Sequence, residues 1–102
     1  MLIDTFHANI EEKDVTAAVR AVGKRMKHVH ISENDRGIPG SGHVDFAGIV
    51  GALKASSYDG YLMIEGFGFD ARYTKDSLWR DEGITPLEVA LGGERYLRGL
   101  LG

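Results

Sequence analysis

An α/β fold with a parallel sheet is what this 102-residue sequence predicts, and three observations predict it. Three short apolar runs, "MLID", "KHVHIS" and "YLMIE", have the length and composition of strands. Between and after them, apolar residues recur at steps of three and four, the spacing of amphipathic helices. Strands that alternate with such helices pair in parallel through crossover connections.

Taken in order, "MLIDTF" opens directly on a strand-like run and passes into the polar, helix-starting stretch "HANIEEKD". From Asp14 onward, Val15, Ala18, Val19, Val22 and Met26 share one face of a helix expected to end near Lys27. Glu11, Glu12 and Asp14 at its start and Lys24, Arg25 and Lys27 at its end suit the helix dipole. "KHVHIS" is the second strand. The loop "ENDRGIPGSGH" then carries Gly37, Gly40, Gly42 and Pro39, which exclude regular structure. Asp45 is the expected N-cap of the next helix, with Phe46, Ile49, Val50 and Leu53 on its buried face and "SSYDG" as its exit. "YLMIEGF" is the third strand. Beyond a loop over residues 68–83, "TPLE" at Thr85 to Glu88 is a capping box with proline at the first helical position. It opens a helix expected to bury Leu87, Ala90, Leu91, Leu97 and Leu101, and the order is β-α-β-α-β-α.

The runs "MLID" and "YLMIE" are apolar at nearly every position, as expected of strands covered on both faces. Three parallel strands with helices on one side only would nevertheless leave the other sheet face and both edges open. A fragment of a larger fold, or an obligate oligomer, is therefore expected rather than a self-sufficient domain.

Composition narrows the function. The length allows one domain with a modest core. Net charge is -3, with Lys+Arg 12 scattered among Asp+Glu 15, so the footprint of a nucleic-acid binder is missing. With no cysteine, any metal must be held by oxygen or imidazole nitrogen. Neither a signal peptide nor an apolar run of the roughly 18 residues a membrane span needs is present, which makes the cytoplasm the default location.

Each strand-like run ends in a metal-ligating side chain: Asp4, His30 and Glu65. In a β/α barrel the C-terminal strand ends meet at one mouth, so these three would face one point. One imidazole with two carboxylates suits Mn²⁺, Co²⁺ or Mg²⁺. Singly, Asp4 could be a helix cap and His30 a core residue, whereas a carboxylate ending "YLMI" is costly to bury unless paired or bound to metal. His28, one step deeper on the same face, reads as a core residue or as support for His30. His7 and Arg36 stand where they could grip the oxygens of a small molecule, although Arg36 could equally be a solvated charge or a partner of Asp35 or Glu33. Phe67, Phe69, Tyr73 and Trp79 could line the mouth or pack on a neighbouring subunit.

At these residues the chain resembles a known family. "LIDTFHANIEE", "HVHISENDRGIPGSGHVDF" and "YDGYLMIEGF" are similar, in order and spacing, to the C-terminal part of the D-tagatose 3-epimerase and D-psicose (allulose) 3-epimerase family of xylose-isomerase-like TIM barrels. The resemblance implies the last three βα units of an eight-stranded barrel. It implies that Asp4, His30 and Glu65 hold a divalent ion, Mn²⁺ or Co²⁺, that Glu65 is also a catalytic acid/base, and that His7 and Arg36 hold a ketose near its first carbons. In such enzymes one glutamate removes the C3 proton to give an enediolate, and a second returns it from the other face. The family carries that other glutamate, also its fourth ligand, on the strand preceding "MLID", so epimerase activity of residues 1–102 alone is expected to be very low. The alternative is a noncatalytic part-barrel that self-associates or joins a companion chain. A DNA repair endonuclease of the same superfamily is disfavoured by the scattered basic residues, and an inosose dehydratase remains a further alternative.

Overall fold

The computed structural model describes residues 1–66 and 85–102. Strands β1 (Leu2–Asp4), β2 (His28–Ile31) and β3 (Leu62–Ile64) form one parallel sheet in the order β1-β2-β3. Asp4 lies opposite His30, and His30 opposite Met63. Because side chains alternate across a strand, this register sends Ile3, Val29, Ile31, Leu62 and Ile64 to one face. Leu2, Asp4, His28, His30 and Met63 go to the other, and Glu65, two residues beyond Met63, follows them.

The first face is the core. Helices α2 (Val15–Val22), α3 (Phe46–Ala55) and α4 (Pro86–Leu101) supply its cover. Val29, Ile31, Phe46 and Ile49 are completely buried there. The second face is open among the described residues, with Leu2 53% and Met63 49% exposed. Among the described residues, the apolar runs "MLID" and "YLMIE" are thus covered on one face, by α2, α3 and α4, and not on both as their composition predicts.

The first strand ends at Asp4 as expected, whereas one helix ends early and another turns an unexpected face inward, each for a local reason. The first strand stops at Asp4, because Oδ1 of its carboxylate accepts from the backbone N–H of Phe6 (2.9 Å) and His7 (3.3 Å) and so caps a helix, α1 (Thr5–Glu11). The second helix ends at Val22 instead of near Lys27, because Gly23 takes φ +55°. A single 3₁₀ turn, Gly23–Arg25, then returns Met26 to the core, where it is 4% exposed. In α4 the Thr85 and Glu88 capping box forms as expected, but the buried stripe is Val89, Gly93 and Leu97. Leu87, Ala90, Leu91 and Leu101 are exposed. The reason is Gly93: a side chain there would come within 3.0 Å of both Ile64 and Pro39, so the helix turns its slimmest face inward for close approach. Asp45 caps α3 through Gly48 N–H at 3.0 Å, and the four predicted residues Phe46, Ile49, Val50 and Leu53 are buried.

The expected loop over 68–83, together with Phe67, Phe69, Tyr73 and Trp79, lies outside the described residues. Among the described residues no helix is long and apolar enough to cross a membrane.

One side chain ties the strand ends together. Thr5, fully buried, donates from Oγ1 to the carbonyl of Ser32 (2.7 Å) and accepts from the Ser32 N–H (2.8 Å). The end of β1 is thereby locked beside the end of β2. Thr5→Val keeps the shape and strands two buried backbone groups, so it should cost about 2–4 kcal/mol in a denaturant titration. Thr5→Ser retains both bonds and should lose about 1 kcal/mol or less, the methyl alone.

Candidate metal centre

The open sheet face delivers three ligating atoms to one place. His30 Nδ1 lies 3.6 Å from Asp4 Oδ2 and 3.3 Å from Glu65 Oε2. One ligand atom from each of Asp4, His30 and Glu65 falls within 4.8 Å of the other two. Each comes from a different strand end. Asp4 can serve because its carboxylate is divided: Oδ1 caps α1, leaving Oδ2 for the site. Glu65 is placed by its own N–H, which donates to the Ile31 carbonyl at 2.8 Å and carries the ladder one residue past β3.

The two carboxyl groups act on one another, and their affinities for a proton are pushed in opposite directions. Glu65 is pushed up by its hydrogen bond with Asp4, by burial and by the Asp4 charge, against the pull of Arg36 and His30. At Asp4 burial works upward, but the Glu65 hydrogen bond, the two backbone N–H groups and the Arg36 charge outweigh it and hold the carboxyl below its ordinary range. Of the two acids, Glu65 is therefore the one that takes up a proton first as the pH falls.

Arg36 closes the cluster from the β2–α3 loop. Its guanidinium is 4.0 Å from Asp4 Oδ2 and 3.6 Å from Glu65 Oε2. It donates to Ser32 Oγ at 3.0 Å, lies 3.4 Å from His7 Nε2, and stacks 3.8 Å above the Phe6 ring. The structure thus brings His7 and Arg36 to the same mouth as Asp4, His30 and Glu65, with His7 exposed and Arg36 buried. His28 shares the open face and packs edge-on against His30, ring centres 4.9 Å apart.

Glu33 is the residue that sequence reasoning undervalues, treating it only as a partner for Arg36. It is completely buried, and its oxygens accept from the backbone N–H groups of Asn34 (3.1 Å), Gly40 (2.8 Å) and Val44 (3.0 Å). A carboxylate at the head of a glycine-rich loop, where many N–H groups need acceptors, was the available signal. Asn34 adds to the frame, accepting from His43 N–H at 2.7 Å, and Asn9 of α1 meets His43 Nε2 at 3.0 Å.

A parallel β/α sheet whose C-terminal strand ends converge on an acid, an imidazole and a second acid has the architecture of the mouth of a β/α-barrel enzyme. The family model described as xylose isomerase-like TIM barrel matches residues 1–84, and the chain belongs to that family. It is 41% identical over 83 residues to an L-ribulose 3-epimerase of Mesorhizobium japonicum, covering 78% of this chain and 28% of that protein. It is 36% identical over 103 residues to a D-psicose 3-epimerase of Enterocloster bolteae, covering 99% of this chain and 34% of the relative. The crystal structure of a D-allulose 3-epimerase from Methylomonas sp. superposes with a TM-score of 0.83 at 33% identity, over 97% of this chain and 36% of the other. The chain spans about a third of the length of these relatives, and its fold is a segment of a TIM barrel.

Because Glu33 holds three amides, Glu33→Ala should loosen the loop that carries Arg36. Amide hydrogen exchange at Gly40 and Val44 is expected to accelerate by about 100-fold, corresponding to roughly 3 kcal/mol of lost local protection. Unchanged exchange there would show that the loop is held by other means.

Proposed function

We propose that residues 1–102 are the last three βα units of a ketose 3-epimerase and carry most of its metal centre. The observation that carries this reading is the convergence of Asp4, His30 and Glu65, from three separate strands, within 4.8 Å. Ligand atoms about 2.1 Å from one ion at right angles stand roughly 3 Å apart, so separations of 3.3 and 3.6 Å from His30 Nδ1 fit a shared cation with little movement. Two carboxylates and one imidazole favour Mn²⁺ or Co²⁺, with Mg²⁺ as the oxygen-preferring alternative.

When bound, the ion supplies Lewis-acid polarisation of a sugar carbonyl. Glu65, its side chain 37% exposed, reaches into the open mouth and exchanges the proton on the neighbouring carbon. His7 and Arg36, side by side at that mouth, hold the hydroxyl oxygens of a small ketose and fix which carbon faces Glu65. Inverting that carbon needs a second base on the opposite face of the substrate, and the cluster found among the described residues offers no carboxylate beyond Asp4 and Glu65. We infer that residues 1–102 alone epimerise little. With Mn²⁺ added, C3 epimerisation of D-fructose or D-tagatose by the 102-residue protein should be barely above background; rapid turnover would refute the need for a second carboxylate.

The open face of the sheet favours a second, compatible reading. Leu2 and Met63 on that face are 53% and 49% exposed, apolar strand surface left in water. Such a surface is suited to self-association or to a companion barrel half. Sedimentation should therefore show a species larger than one chain, and a stable monomer would contradict this reading.

Asp4→Asn preserves the helix cap but not the charge, and His30→Ala removes the imidazole. Either should weaken Mn²⁺ binding by more than about 100-fold, beyond what loss of a supporting hydrogen bond brings. An isothermal titration measures it directly.

A further inference from the structure

The two carboxylates of the cluster already have a cation beside them, and its placement is over-determined. Arg36 NH1 lies within 4.0 Å of Asp4 Oδ2 and 3.6 Å of Glu65 Oε2. The same nitrogen donates to Ser32 Oγ at 3.0 Å, and the guanidinium carbon lies over the Phe6 ring, 3.8 Å from its centre. The backbone contributes as well: Arg36 has φ +64°, a left-handed conformation that non-glycine residues rarely adopt, and this turn helps aim the side chain back under the strand ends. Arg36 reaches the mouth beside His7, yet it is only 8% exposed and its guanidinium is directed at the atoms that would ligate an ion.

We propose that Arg36 is the built-in counter-ion of the Asp4, His30 and Glu65 cluster, holding the two acids together without an ion and lowering their affinity for a divalent cation by repulsion. The proposal rests on the metal reading above. Its physics is direct: a fixed positive charge and a divalent ion compete for the same two oxygens, and with Arg36 only 8% exposed their repulsion is weakly screened. Arg36 thereby becomes a positioning residue that tunes how tightly the ion is held, a role additional to its contact with substrate.

The test compares the 102-residue protein with R36N, R36Q and R36K, using Mn²⁺ alone as probe and paramagnetic resonance of the free ion as readout. Asparagine tolerates the left-handed backbone, glutamine keeps part of the stem that lies on Phe6, and lysine keeps the charge. The neutral variants should bind Mn²⁺ about tenfold tighter than the unsubstituted protein, with R36K close to it. Without metal they should melt at a lower temperature and recover more on adding Mn²⁺ than the unsubstituted protein does. A merely structural arginine predicts the reverse, weaker binding on its loss. Equal or weaker Mn²⁺ binding by both neutral variants would overturn the proposal, as would neutral variants that stay unfolded even with Mn²⁺. Neutral variants that fold only when Mn²⁺ is added would support it. If neither the unsubstituted protein nor the neutral variants bind Mn²⁺, the metal reading itself fails and takes the proposal with it.

Discussion

The divided carboxylate of Asp4 is the interaction on which the rest of the site depends. One oxygen is committed to the N–H groups of Phe6 and His7, which ends β1, starts α1 and stabilises that turn by about 1 kcal/mol. The other is thereby fixed toward His30 and Arg36. A residue unable to do both would either let the strand run on or leave the cluster without its most buried acid. Thr5, next in sequence, makes the arrangement rigid by exchanging two hydrogen bonds with Ser32. Local capping and long-range pairing meet in two consecutive residues.

From that junction the two faces of the sheet take different fates. Ile3, Val29, Ile31 and Ile64 meet the helices and form an apolar core. The opposite face gathers every polar strand residue and leaves Leu2 and Met63 in water. In a closed barrel such a face is the packed interior, with the catalytic groups at one end of it. Among the described residues the polar end is assembled and the apolar stretch below it is uncovered. The chain matches about a third of the length of its relatives, and an open interior face is what a third of a barrel would present.

Much of this was legible in the sequence, for identifiable reasons. Asp45 and the Thr85 to Glu88 capping box announce helix starts because the cap is a local hydrogen bond, set within a few residues. Asp4, His30 and Glu65 could be chosen because each terminates an apolar run, and parallel strands align their ends. What stayed hidden depends on partners distant in the chain. The inward face of α4 is decided by Gly93 against Pro39 and Ile64, which no count of leucines in that helix reveals. Glu33 looks like a solvated loop acid until the loop closes and brings Gly40 and Val44 onto it. Arg36 likewise depends on a backbone turn with positive φ that its sequence context does not prescribe.

The central claim is that three strand ends, not any one loop, form a single metal centre. X-ray absorption on the Co²⁺-loaded protein tests it most directly. The account predicts a first shell of oxygens with the outer-ring scattering of one imidazole, and loss of that imidazole signature in His30→Ala. A shell of oxygen alone, unchanged by His30→Ala, would contradict it.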